Sequence, residues 1–373
     1  MSTLSQRPLA LFAATSGHSG VDRLIANLLP ELARWGDPVD LLTIHNHGPF
    51  IENPPPGVRL VALPATHVHT ALPALVGYLR RHHPRALLTD KDKVNRLALL
   101  ATRLVGGTRL VVRTGMTASE DLARQRAPKR LVQWLSMRYL YRLADAVLVP
   151  SQGVAEDLAK NIGLPRARIQ VIHNPIVTPA FTAAITQPVE HPWLMEKTWP
   201  VIMGLGELCE RKDFETLLRA FAQVRNQRPC RLLIYGRGRR ETTLHQLADD
   251  LGVGEVFDLP GFIANPYPAL AAADVFVQSS RYEGFGNALA EALAAGTPVV
   301  ATDCPHGPRE ILANGHYGTL VPVGDVAGLA RAIQETLQNP PSPVLLAEAA
   351  APYQIETIAR QYRDLLLGPL RQD

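Results

Sequence analysis

Short apolar runs and amphipathic stretches alternate along the chain. Leu9–Ala14 is a short apolar run, and Val21–Trp35 repeats Leu24, Ile25, Leu28, Leu29 and Leu32 at helical spacing. Val39–Ile44 and Val58–Leu63 read as strands, Leu72–His82 as a helix and Ala86–Thr89 as a strand. Asn95–Val105 reads as a helix and Arg109–Arg113 as a strand. Strands that are apolar throughout, rather than alternating, are those buried on both faces. This order therefore predicts a parallel sheet covered by helices on both sides. Ala146–Val149 and Ile169–Ile172 continue it, with Ser151 as a fair N-cap for a helix Gln152–Lys160. From Pro179 to Pro200 all periodicity is lost, and this stretch reads as the linker between two domains.

The alternation then restarts. Val201–Met203 is a strand, Gly204–Asp213 a glycine-bearing polar loop, Phe214–Gln227 a helix and Arg231–Tyr235 a strand. Thr242–Leu251 and Pro268–Ala273 read as helices, with Val256–Leu259 as a strand between them. Asp274–Gln278, Thr297–Ala301 and Tyr317–Val321 are further strands, and Val326–Leu337 and Ile355–Leu367 are helices. The fold class expected is α/β, two doubly wound Rossmann-like domains of similar size, divided as 1–178 and 179–354.

Length and composition agree with two cores: 373 residues, 46% of them hydrophobic. A formal net charge of +4 is too mild for a nucleic-acid partner. Cys209, Cys230 and Cys304 have neither CxxC nor zinc spacing, so a disulfide framework is not expected and a reducing compartment fits. Met1–Pro8 is polar and the apolar run after it is short, which does not read as a signal peptide. No apolar run approaches the roughly eighteen residues of a membrane-spanning helix. A cytoplasmic protein is the expectation, soluble or peripheral on the inner face of the membrane. Residues 119–143 favour the peripheral form. They set Arg124, Arg126, Lys129, Arg130, Arg138 and Arg142 among Leu131, Trp134, Leu135, Tyr139 and Tyr141, a basic helical stretch suited to an anionic membrane surface. An ordinary helix with solvated arginines and a buried apolar stripe fits equally well.

The most chemically marked stretch follows the strand ending at Gln278. It runs Ser279-Ser280-Arg281-Tyr282-Glu283-Gly284-Phe285-Gly286-Asn287 and enters the Ala/Leu-rich helix holding Glu291. A strand, a glycine turn and a helix N-terminus make a site for an anion. Gly284 and Gly286 let a ligand come close to the backbone. Two carboxylates flanking the turn point to hydroxyl groups beside a phosphate. Doubly wound domains bind at the carboxyl ends of their strands, where Arg211, Lys212 and Arg237 supply cations. A diphosphate joined to a sugar at each end, a nucleotide-sugar, matches this chemistry.

Glu283-Gly284-Phe285-Gly286-Asn287-Ala288-Leu289-Ala290-Glu291, continued through Gly296-Thr297-Pro298 to Asp303, resembles the E-x7-E signature of retaining glycosyltransferases of family 4. So do Gly307-Pro308-Arg309-Glu310 and the run from Gly204-Leu205-Gly206. The resemblance implies the GT-B fold, two Rossmann-like domains facing across a cleft, with the final helix 355–373 packing back on the first. It implies transfer of a sugar from a nucleotide-sugar, a UDP-hexose or UDP-N-acetylhexosamine, to a hydroxyl of a lipid-linked or envelope glycan, without a metal or other cofactor. Carried over, Glu283 meets the donor sugar and Glu291 the ribose. Gly284, Phe285, Gly286 and Asn287 meet sugar and diphosphate, and Arg211 and Lys212 neutralise the leaving diphosphate. Gly206 and Gly20 approach the donor, Phe262 and Ile263 line the base, and Arg237 sits near it. On the acceptor side the resemblance points to His18, Ser19, Arg113 and Thr114.

Three positions depart from the family pattern. Glu207 stands where an arginine is usual, with Arg211, adjacent to the usual lysine Lys212, as its replacement. Arg113-Thr114-Gly115-Met116 lacks a histidine common after that strand, and Ser19-Gly20 replaces a Gly-Gly. Asp90-Lys91-Asp92 has the form of a metal-binding DxD but reads as a loop, and the pairs His45/His47 and His67/His69 lack a third ligand. Other readings of the same residues are a GT-B nucleotide-sugar epimerase, or a donor-binding protein with weakened catalysis.

Overall fold

The computed structural model describes residues 7–17 and 19–368. The chain forms two units, one running to Pro175 and resuming at Ile355, the other Ile176–Gln354.

The first unit is built on seven parallel strands: β1 (Leu9–Ala13), β2 (Val39–Thr43), β3 (Val58–Ala62), β4 (Ala86–Asp90), β5 (Arg109–Arg113), β6 (Ala146–Val149) and β7 (Ile169–Val171). Their order is β3-β2-β1-β4-β5-β6-β7, so the winding reverses between β1 and β4. Register follows from which side chains each face buries. Ala10 and Phe12 face a core completed by Leu75, Leu79, Val94 and Ala98. Leu9, Leu11 and Ala13 face the opposite core, built on Leu24, Ile25, Leu28 and Leu29 of the helix Gly20–Arg34. The helix Ile355–Leu367 completes that second core with Ile358, Ala359, Tyr362 and Leu366.

The second unit has six parallel strands: β8 (Val201–Leu205), β9 (Arg231–Tyr235), β10 (Phe257–Gly261), β11 (Val275–Gln278), β12 (Val299–Thr302) and β13 (Thr319–Val321). The order β10-β9-β8-β11-β12-β13 places its reversal between β8 and β11. Val275 and Val277 bury on one face, Phe276 on the other.

Several elements differ from the sequence pattern. Residues 179–200 are folded, not a linker: Pro179–Ala184 and Pro192–Met195 are one-turn helices capped by Thr178 and His191, with Phe181 and Leu194 buried. β8 extends through Gly204 to Leu205, so the loop after it begins at Gly206. Helix Pro343–Ala350, capped by Ser342, has no counterpart in the expected pattern. Residues 119–143 do not make one helix. Ala118–Ala123 and Ala127–Leu140 are separated at Arg124–Arg126, where Arg126 is the extended N-cap of a helix with Pro128 in its first turn. Among the described residues no helix is long and apolar enough to cross a membrane.

Candidate active site

The reversal between β8 and β11 brings together the two loops that carry charge. Loop 206–213 leaves β8 with Gly206 at φ +151°, and a Cβ there would lie 2.8 Å from Lys212 Cε. Glycine therefore leaves room for the lysine stem to fold back across the strand end. Ser279 and Ser280 then continue from β11 and tie the loops to each other. The Ser279 hydroxyl donates to the Lys212 carbonyl at 2.8 Å, and the Arg281 N–H donates to the Arg211 carbonyl at 2.8 Å.

Glu283 is the acceptor at the centre. Lys212 Nζ donates to its Oε1 at 2.6 Å, Ser280 Oγ donates to the same oxygen at 2.7 Å, and Arg211 Nη1 donates to Oε2 at 2.8 Å. Its side chain is only 7% exposed. Burial pushes the carboxyl upward, but the charges of Lys212 and Arg211, with the Lys212 and Ser280 hydrogen bonds, outweigh it and hold the carboxyl below its usual range. The Arg211 guanidinium is driven down by burial and up, on balance, by Glu283. Cys304 stands beside this group, and burial, reinforced by the Glu283 charge, raises its thiol to about 12. Such a thiol stays protonated and unreactive at neutral pH.

The loop between the two glutamates packs tightly from below. Glu283 N–H donates to the Pro305 carbonyl at 2.8 Å. Phe285 is buried with its ring edge-on to Tyr353 at 5.5 Å. A Cβ on Gly307 would stand 1.8 Å from the Phe285 carbonyl oxygen, so the 302–309 turn supports this loop backbone to backbone. Gly284 is buried, and Gly286, at φ +102°, caps the helix Asn287–Ala294, in which Glu291 is buried. Arg237, after β9, stacks its guanidinium over the exposed Phe262 ring at 5.8 Å from the centroid, with Ile263 half-buried next to Phe262.

The expected acceptor-side residues belong to the first unit. His18 lies outside the described residues. Ser19 is the N-cap of the helix that begins at Gly20, and both its N–H (2.7 Å) and its hydroxyl (2.6 Å) donate to Asp22 Oδ2. Thr114 is half-buried, and its N–H donates to the Leu148 carbonyl at 3.0 Å. Arg113 is 2% exposed and tied into the fold. Its guanidinium donates to Asp90, to Asn174 Oδ1 at 2.6 Å and to the Tyr362 hydroxyl at 3.2 Å. Asp90-Lys91-Asp92 is not the loop expected: Asp90 is the buried last residue of β4 and Asp92 the first of a helix. Among the described residues no group of three or more His, Cys, Asp or Glu side chains is placed to hold a metal ion.

Sequence reasoning assigned no role to Ser279, Ser280 or Gln278. The one signal was a run of small polar residues directly after an apolar strand, where a core strand passes into a site.

Comparison with known proteins places this geometry. Residues 199–339 match the family model for glycosyl transferases group 1, and residues 19–175 match the glycosyl transferase 4-like domain. The chain belongs to the family-4 glycosyltransferases and has their GT-B fold. It is 36% identical over 208 residues to a lipopolysaccharide core biosynthesis glycosyltransferase, LpsE, of Rhizobium meliloti, a match spanning 56% of this chain and 58% of that protein. It is 27% identical over 340 residues, covering 89% of this chain and 90% of the relative, to the N-acetylgalactosamine-N,N'-diacetylbacillosaminyl-diphospho-undecaprenol 4-alpha-N-acetylgalactosaminyltransferase of Campylobacter jejuni. The fold is shared with sucrose-phosphate synthase of Thermosynechococcus elongatus, at TM-score 0.75 and 21% identity over 96% of this chain and 98% of the other. It is shared equally with Anabaena HepE in complex with UDP, at TM-score 0.75 and 17% identity over 96% and 99%.

Proposed function

We propose that the protein moves a sugar, with retention at the anomeric carbon, from a UDP-hexose or UDP-N-acetylhexosamine to a hydroxyl of a lipid-linked or envelope glycan. The observation that carries this reading is the buried Glu283 held between Arg211 and Lys212 at the reversal of the second sheet. A carboxylate held below its usual range is not a proton donor at neutral pH. It accepts hydrogen bonds from sugar hydroxyls and fixes two cations where a diphosphate arrives. As the bond to the sugar breaks, the leaving diphosphate gains negative charge, and preplaced cations lower the barrier. In this reading Gly206, Gly284, Phe285, Gly286 and Asn287 bring backbone to the donor, Glu291 takes the ribose, and Arg237, Phe262 and Ile263 flank the base. No metal is needed, because the two side-chain cations supply the charge.

UDP as the leaving group is supported by HepE, which has been crystallised with UDP and with UDP-glucose. A lipid-diphosphate acceptor is supported by the Campylobacter relative, whose name specifies a diphospho-undecaprenol substrate. The helix Ala127–Leu140 supports peripheral attachment to the membrane that would carry such an acceptor. Leu131, Val132 and Tyr139 on it are each more than half exposed, beside Arg124, Arg126, Lys129 and Arg130.

The test is a panel of UDP-, GDP- and ADP-sugars with an undecaprenyl-diphosphate-linked glycan, scored for nucleotide release and for product. The expected result is transfer from a UDP-sugar by the wild type and none by Glu283→Ala. Use of GDP- or ADP-sugars alone refutes the UDP assignment, and conversion of UDP-N-acetylglucosamine to its epimer without acceptor refutes transfer. Flotation with anionic vesicles tests attachment: binding lost on neutralising Arg124, Arg126, Lys129 and Arg130 supports it, and no binding by wild type refutes it.

A further inference from the structure

Gln278 is the last residue of β11, on the same face of the sheet as the buried Phe276. It is 3% exposed. Neither its amide nitrogen nor its amide oxygen has a hydrogen-bond partner among the described residues. A buried amide in this condition is costly, and native proteins seldom keep one without a use for it. The two residues after it show what the segment is for. Ser279 and Ser280, next in the chain, hold Lys212 and Glu283 by their hydroxyls.

The amide lies directly beneath Gly286. A Cβ built on Gly286 would stand 3.2 Å from Gln278 Nε2 and 3.4 Å from Oε1. Gly286 has no side chain of its own to stand between its peptide and the amide. Gly286 is also the N-cap of the eight-residue helix Asn287–Ala294 and sits between Glu283 and Asn287. A small inward movement of this loop pairs its backbone with an amide that can both donate and accept.

Resting on the donor reading above, we propose that Gln278 is a positioning residue for the 283–287 loop. Its amide pairs with the backbone at Gly286 when a nucleoside diphosphate occupies the loop, and stabilises that bound conformation. The unpaired state is then a cost carried by the free protein and relieved on binding, which raises affinity for the ligand that brings the loop down.

This gives an unusual pair of opposite signs. Gln278→Met keeps the volume and removes the amide, with Gln278→Leu as a second apolar variant. Thermal unfolding is followed without ligand and with UDP or GDP, and donor KM and kcat are measured. The expected result is an unliganded melting temperature equal to or above wild type, a UDP Kd raised about ten-fold, and the loss in donor KM more than in kcat. UDP affinity equal to wild type in both variants overturns the proposal. A lowered unliganded melting temperature in both also overturns it, since the amide is then already satisfied in the free protein. If neither nucleotide raises the melting temperature of the wild type, the donor reading fails and the proposal falls with it.

Discussion

Lys212 and Glu283, 71 residues apart in sequence, meet at 2.6 Å because the loops after β8 and β11 leave the sheet side by side. Arg211 reaches the other oxygen of the same carboxylate. Glu283→Gln keeps the shape of the side chain but not the charge that organises both cations. It is expected to lower kcat/KM for transfer by at least about 100-fold, the scale of one lost electrostatic contact to a transition state. The measurement is initial rate against donor concentration, with circular dichroism to show that the variant is folded.

The same pair makes stability depend on acid. The Glu283 carboxyl is lower in the folded than in the unfolded chain, so its contribution is complete above the usual carboxylate value, about 4.3. It is lost as pH falls through the lower folded value. Wild type and Glu283→Gln should therefore differ most near neutrality and converge towards acid. Urea midpoints of the two proteins between neutral pH and the onset of acid unfolding test this; a gap that widens on acidification contradicts it.

Arg113→Ala removes the only cationic partner of the buried Asp90 among the described residues. The expected cost is about 3–5 kcal/mol. Arg113→Lys should restore only part of it, because one ammonium cannot reach Asp90, Asn174 and Tyr362 in the plane that a guanidinium offers. Chemical denaturation of the three proteins decides the matter.

Gly307→Ala drives a methyl group to within 1.8 Å of the Phe285 carbonyl oxygen, and does so at φ +98°. Backbone strain alone costs about 1–3 kcal/mol, and the supporting turn must shift as well. UDP affinity, read by calorimetric titration, should fall by more than about ten-fold, whereas alanine at the exposed Gly252, with open space around its Cβ, should leave it unchanged.

If Arg211 and Lys212 supply the charge at the leaving diphosphate, chelation should matter little. Transfer in excess EDTA should stay within about two-fold of transfer with magnesium. A loss beyond about ten-fold would show that a divalent ion acts in the step.

The strands of both sheets were legible because each is a short apolar run bounded by polar loops, and β5, β6 and β9 fall where the pattern puts them. The helices at 179–184 and 192–195 were not, since one turn is too short to show a period and only Phe181 and Leu194 reach the core. Pro343–Ala350 was hidden by prolines before it and by apolar residues all round it. The charged centre was legible because its residues lie in loops at strand ends. Arg113 looked like another of that kind. Its burial depends on Tyr362, 249 residues later, a partner that no local pattern announces.

Tyr362 belongs to the helix Ile355–Leu367, which follows the whole second unit in the chain. During synthesis the first seven strands emerge early, yet the core that joins Leu9 and Leu11 to Leu28 lacks Ile358, Tyr362 and Leu366 until this helix is made. Through all of that time Arg113 and Asp90 lack their tyrosine. The unit translated first is thus the one completed last, and a ribosome stalled anywhere in the second unit holds a first unit with one side of its core still open.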